Sequence, residues 1–151
     1  MIQVEKTKIK TYFSLYGDEF PIDCISNELN LEPTFSHIKG EVIPKKTSIN
    51  IKNNSPSTRK ETIWELGTNY EESLDAEEEL MKVISRLKGK ENKIIELKKK
   101  YNLQCLFMIV IIMNEGYTPA VVMNKEIIEF IHIIDAEVHF DLYANPYQFE
   151  L

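Results

Sequence analysis

The sequence predicts an α+β fold, a mixed β-sheet with helices packed on it, in a ferredoxin-like βαββαβ layout with an added αβ unit. Three observations carry that expectation. Leu103–Met113 (LQCLFMIVIIM) is an almost unbroken apolar run rich in β-branched residues, as expected of a strand covered on both faces. It falls well short of the roughly 20 apolar residues a membrane helix needs, so it reads as the central strand. Ala136–Tyr143 alternates cleanly between apolar and polar residues, the mark of a half-buried strand. Between strand-like stretches lie stripes at helical spacing, giving the order β-α-β-β-α-β-α-β.

In chain order, Thr11–Tyr16 alternates with period two and forms the first strand. Gly17-Asp18 ends it, with Asp18 placed to accept backbone N–H groups at the next turn. Pro21 suits a first helical turn. Ile22, Ile25 and Leu29 then mark one face of a short helix, which Pro33 stops. His37–Ile43, around Gly40, reads as a second strand. Residues 44–60 form a long polar segment with the turn-forming cluster Asn53–Thr58, expected to be a flexible loop. Its Lys45, Lys46, Arg59 and Lys60 make a modest basic concentration.

Thr62–Leu66 resumes as a strand. Ser73 is expected to cap the helical region that follows, with Asp75, Glu77 and Glu78 offsetting the positive helix end. Its apolar stripe is Ala76, Leu80, Val83, Ile84 and Leu87. Gly89 interrupts, and Ile94, Leu97 and Tyr101 resume the stripe, so two helices or one kinked helix are expected. Acids gather in Glu71–Glu79 and lysines in Lys88–Lys100, the usual pattern of a solvated face complementing the helix dipole. After the central strand, Asn114–Pro119 is a turn. Asn124 caps a last helix with the stripe Ile127, Ile128, Ile131 and Ile134. In the closing strand Val138, Phe140 and Leu142 are expected to face the core, leaving Glu137, His139, Asp141 and Tyr143 outward. Asn145-Pro146 ends the fold, and 144–151 is a short tail.

At 151 residues the chain suits one domain with a real core. Its 24 acidic against 18 basic residues give a net charge of −6. That argues against nucleic-acid binding, which draws its affinity from basic residues on phosphates, and against docking on anionic membrane. Cys24 and Cys105 sit among apolar neighbours with no CxxC pair or zinc spacing. MIQVEKTKIK at the N-terminus has no apolar targeting core, so the expected setting is cytoplasmic and reducing.

Chemistry-bearing patterns are sparse. No GxGxxG, GxxxxGK[ST], HExxH or GxSxG motif occurs, and no cofactor or metal is expected. The candidate for acid/base chemistry is His139 with Asp141, two apart on one strand and therefore on one face, with His132 on the preceding helix as a third group. Glu65 is a carboxylate without a visible partner. A second candidate is a binding surface lined by Tyr16, Arg59, Trp64, Tyr117 and Tyr143, aromatics plus an arginine being the residue types that dominate interfaces. It requires the loops after Tyr16, before Trp64 and at Tyr117 to meet at one sheet end. Trp64 is weighed there against plain core packing.

Several of these stretches also occur together elsewhere. YFSLYGDEF, then a helix, LEP and an isolated Gly40; Ile63-Trp64-Glu65-Leu66; Tyr117-Thr118-Pro119-Ala120; and Phe140-Asp141-Leu142-Tyr143 together resemble a bacterial family known as domain of unknown function 4279. The likeness runs from about Lys10 to Tyr143. It implies an α+β bacterial domain and supplies no catalytic residues. The expectation is therefore a non-enzymatic protein-binding or immunity-type protein, with a basic toxin or another protein as partner. The alternative is a small ligand-binding domain or enzyme working from the last strand.

Overall fold

A computed structural model describes residues 5–44 and 56–146. Ten elements follow one another: β1 (Lys8–Gly17), α1 (Ile22–Leu29), β2 (Phe35–His37), β3 (Thr62–Gly67), β4 (Glu71–Glu72), α2 (Ala76–Leu87), α3 (Glu91–Tyr101), β5 (Gln104–Met113), α4 (Lys125–Ile133) and β6 (Glu137–Ala144). The six strands form one mixed sheet in the order β2-β3-β1-β5-β6, with the two-residue β4 paired to the start of β1. The fold is α+β, as the sequence predicts. Among the strands, β5 and β6, which α4 connects, pair parallel and the other ladders are antiparallel.

The long apolar run is an interior strand, bonded to β1 on one side and β6 on the other. Its two faces are not equally covered, however. Cys105, Phe107, Ile109 and Ile111 are buried, whereas Leu106, Met108 and Ile112 are only half-buried. The reason is that all four helices lie on one side. Ser26 of α1 accepts the Trp64 indole N–H at 3.0 Å, and Thr11 Oγ1 donates to the Glu79 carbonyl of α2 at 2.9 Å. Phe130 of α4 meets Phe107 edge-on at 6.3 Å. Their strand partners Trp64, Thr11 and Phe107 share the covered face, and α3 packs beside α1. The expectation of cover on both faces is thus corrected: one face is roofed by helices, the other by none among the described residues.

The helix stripes hold with one exception. Ile25 and Leu29, then Ala76, Leu80, Val83, Ile84 and Leu87, then Ile94 and Leu97 are buried, and the helical region is two helices broken at Gly89. In α4 the buried residues are Ile127, Phe130 and Ile134, while Ile128 is 55% exposed; the stripe runs through Phe130 rather than Ile128. The caps also differ. Asn124 accepts the Ile127 N–H as expected, but Asp75 and not Ser73 caps α2, accepting the Glu78 N–H at 3.2 Å. Ser73 makes the turn before it, accepting the Asp75 N–H. Asp18 pairs with Lys39 and leaves α1 without a side-chain cap.

The second strand is Phe35–His37, which starts two residues before the expected His37–Ile43 and is only three residues long. Gly40 is the cause. It takes φ +91°, a region open to glycine at little cost, and the Glu41 N–H bonds back to the Ile38 carbonyl, so the chain turns where a strand was expected. Of the predicted loop, 45–55 with Lys45 and Lys46 lies outside the described residues, as does 147–151 of the tail.

β6 needs the largest correction. Glu137, His139, Asp141 and Tyr143 do point away from the helices, but Phe140 and Leu142 on the helix side are 45% and 58% exposed. As the last strand of the sheet, β6 has no neighbour beyond it among the described residues. Alternation alone cannot tell an edge strand from an interior one.

Candidate functional site

Strand registers assemble the helix-free face row by row. Lys8, Lys10, Tyr12, Ser14 and Tyr16 come from β1. Opposite them on β5 lie Ile112, Val110, Met108, Leu106 and Gln104, and beyond these on β6 lie Tyr143, Asp141, His139 and Glu137. An apolar stripe along β5, half-buried at Leu106, Met108 and Ile112 and buried at Val110, therefore runs between a lysine- and tyrosine-bearing strand and an acidic edge strand. On the other flank of β1, Glu65 stands opposite Ser14 and Gly67 opposite Tyr12.

Gly67 is a tight spot on this face. A Cβ there would come within 2.5 Å of the Tyr12 Cβ and 2.7 Å of the Thr11 carbonyl oxygen. Lacking a side chain, Gly67 lets β1 and β3 close up beside Tyr12.

The electrostatics follow from partial burial. The Glu65 carboxyl is pushed above its ordinary range by loss of solvent, with the Lys10 ammonium pulling the other way. Burial also raises the Tyr12 phenol, assisted by Glu65, Asp141 and Tyr70. Tyr143 is raised because its hydroxyl donates to Asp141 at 2.9 Å. Tyr16 is raised by burial and then by Glu137, and its hydroxyl donates to Gln104 at 3.1 Å. Lys10 lies 5.8 Å from the Tyr12 ring centroid and 5.6 Å from that of Tyr70, within cation–π reach. These phenols hold their protons at neutral pH. They offer O–H donors and aromatic area, not proton-transfer groups poised near pH 7.

His139 and Asp141 share this face but face different partners. His139 Nε2 lies 2.7 Å from Glu137 Oε2, and Asp141 takes the Tyr143 hydroxyl. His132 belongs to α4 on the opposite side of the sheet, so the proposed third group does not approach. Among the described residues no group of three or more His, Cys, Asp or Glu is placed to hold a metal ion.

The five predicted binding residues do not converge. Tyr16 and Tyr143 are on the open face at opposite ends, the eight residue steps along β1 from Lys8 to Tyr16 spanning roughly 26 Å. Trp64 is fully buried on the helix side. Arg59 stacks over Phe35 at 5.9 Å beside the β2 edge. Tyr117 lies beyond the end of β5, where its carbonyl accepts the Thr7 hydroxyl at 2.6 Å. A cleft of about 550 Å³ opens there, lined by Lys6, Thr7, Glu72, Ser73, Leu74 and Tyr117.

The reading from sequence missed Tyr12, Lys10 and Tyr70. The signal for the first two was present: Lys10 and Tyr12 alternate with Ile9, Thr11 and Phe13, which places them on the face the apolar residues vacate.

The fold and this face define a class: an α+β protein with a one-sided sheet and an open surface of tyrosines, carboxylates and apolar β5 residues. Residues 7–145 match the family described as Domain of unknown function (DUF4279). The chain belongs to that family, as its landmarks imply. No curated protein and no solved structure matched the chain in the corresponding comparisons.

The landmarks have structural duties here. Trp64 fills the core, and the Ala120 carbonyl accepts the Ala76 N–H while its own N–H bonds the Leu74 carbonyl, tying the Tyr117–Ala120 segment to the start of α2. No helix among the described residues is long and apolar enough to cross a membrane.

Proposed function

We propose that this is a non-enzymatic protein-binding module of immunity type, acting in a bacterial cytoplasm, whose helix-free sheet face receives a basic protein partner. One observation carries the reading. An apolar stripe (Leu106, Met108, Val110, Ile112) is bordered by Glu137 and Asp141 along one flank and by Tyr12 and Tyr16, with Lys8 and Lys10 at the far end, along the other. An amphipathic segment laid on that face meets apolar surface at its centre, carboxylates for its lysines or arginines, and phenol donors opposite. Interfaces favour that composition: tyrosine and methionine enriched at the centre, charge complementary at the rim. The net charge of −6 adds long-range attraction for a basic partner.

The test is affinity capture from host lysate with the wild-type protein and a Met108→Glu variant, followed by native mass spectrometry. The expected result is a basic protein retained by the wild type and lost by the variant. Equal retention by both overturns the reading. A small molecule bound by the wild type and released by His139→Ala would favour the alternative, a ligand-binding or acid/base site on β6.

A further inference from the structure

The outer edge of β6 carries an observation that the open face does not use. β6 spans eight residues, Glu137–Ala144 (EVHFDLYA), at the rim of the sheet. An exposed edge presents a row of free N–H and C=O groups, which natural proteins blunt with lysine, proline, bulges or brevity. The opposite rim, β2, is three residues long. β6 has neither lysine, proline nor glycine, and its helix-side residues Phe140 and Leu142 stay 45% and 58% exposed.

We infer that two copies of this chain pair antiparallel through β6, about a twofold axis at Phe140. The side chains select both the occupant and the register. In an antiparallel pair, directly opposed residues project to the same face, so a symmetric pairing centres on one residue. Centred on Phe140, the helix side places Phe140 against its own copy and Val138 against Leu142. The open side places His139 against Asp141 and Glu137 against Tyr143. Each carboxylate thus meets a donor, and each apolar residue meets an apolar one. Centred on His139, Glu137 would oppose Asp141 twice; centred on Asp141, that carboxylate would oppose itself. Like charges directly opposite destabilise a sheet and unlike ones stabilise it.

The acids that look like edge protection therefore disfavour the registers one residue to either side, and those centred on Val138 or Leu142, which oppose no like charges, pair far less of the eight-residue strand than the one centred on Phe140. The pairing joins the two open faces into one continuous surface, which makes the protein bivalent toward any ligand of that face.

Light scattering after size exclusion across a dilution series should give twice the chain mass at high concentration. Asp141→Lys replaces both cross-strand acceptors with cations and should raise the dimer dissociation constant about tenfold or more. The double variant His139→Asp/Asp141→Lys restores a complementary pair across the axis and should recover dimerisation. In a Cys24→Ser background oxidised with copper phenanthroline, Phe140→Cys should cross-link to a covalent dimer, because opposed strand residues lie within disulfide range. His139→Cys or Asp141→Cys should not. All of these positions are solvent-exposed or at the rim, and circular dichroism checks that each variant is folded. A wild type that stays monomeric at its highest soluble concentration overturns the inference. So does a dimer indifferent to Asp141→Lys, or one cross-linked best from position 139 or 141. None of these measurements needs the basic partner proposed above, so the two readings fail separately.

Discussion

Phe107 and Met108 are adjacent on β5, yet they belong to two surfaces of different character. Phe107 is fully buried, tilted against Phe13 at 5.1 Å and edge-on to Phe130. Met108 is half-buried between Tyr12 and His139 with no helix above it among the described residues. The same contrast repeats along most of β1, where Ile9, Thr11, Phe13 and Leu15 are buried while Lys8, Lys10, Tyr12 and Tyr16 are only partly covered; Ser14, small and central on the open side, is the buried exception. The covered face is chosen for volume and holds the fold together. The open face keeps polar tips and apolar stems side by side, an arrangement that stability alone does not call for. The difference locates where sequence change is costly and where it alters recognition.

The largest effect should separate the two faces at one strand. Phe107→Ala leaves a cavity in the packed side and should cost about 3–5 kcal/mol. Met108→Ala removes a side chain that relaxes into solvent and should cost well under half as much; urea unfolding of both variants reads the ratio. Comparable losses would mean that the open face is roofed after all.

Gly67→Ala comes next, and it probes a tight spot on the open side. The new Cβ would meet the Tyr12 Cβ and the Thr11 carbonyl, both attached to rigid strand, so a loss of about 1–3 kcal/mol is expected. Replacing Tyr12 by alanine as well should not restore the loss, since the obstructing atoms remain. Thermal melts of the single and double variants decide it.

Below that stands Asn124→Ala, which acts on the roof rather than the sheet. Asn124 Oδ1 caps α4 through the Ile127 N–H at 2.9 Å, and its amide donates to Glu77 of α2 at 2.8 Å. A loss of about 1 kcal/mol is expected from the cap. Asn124→Asp keeps the cap acceptor but brings a carboxylate against Glu77, so it should recover only part of the stability.

Most of the covered face was legible in the letters. The stripes of α1, α2 and α3 and the odd-numbered residues of β1 obey periods set by backbone geometry alone. What was not legible depends on partners distant in sequence. Nothing in LQCLFMIVIIM says that α4 and α2 sit on the same side, so a one-sided sheet looked two-sided. EVHFDLYA reads as a half-buried strand whether or not a neighbour lies beyond it, and the rim position emerges only from the sheet order. Trp64 and Tyr117 were grouped because both are aromatic and near turns, yet one lies in the core and the other ties a loop to Thr7. By contrast, the shared orientation of His139, Asp141 and Tyr143 followed correctly from period two. What that period could not supply was the contact of His139 with Glu137 instead of Asp141.

The smallest effect concerns Glu65, and its sign is set by the open face. Burial holds this carboxyl above its ordinary value of 4.5, with Lys10 opposing. A raised acid keeps its proton in the folded chain over a pH range where the unfolded chain has already lost it. Stability then falls with rising pH, since the folded state binds the extra proton. The contribution is complete below the ordinary carboxylate value and is lost as pH climbs through the raised one. Glu65→Gln removes this titration while keeping the shape. The variant should therefore gain on the wild type between acid and neutral pH and then hold a constant lead, smaller than any loss above. Urea midpoints taken in steps from pH 4 upward test this. A lead that shrinks as pH rises would mean that the Lys10 attraction outweighs burial. The carboxylate would then be an ion-pair partner of β1, and the open side would be wetter than its half-buried residues imply.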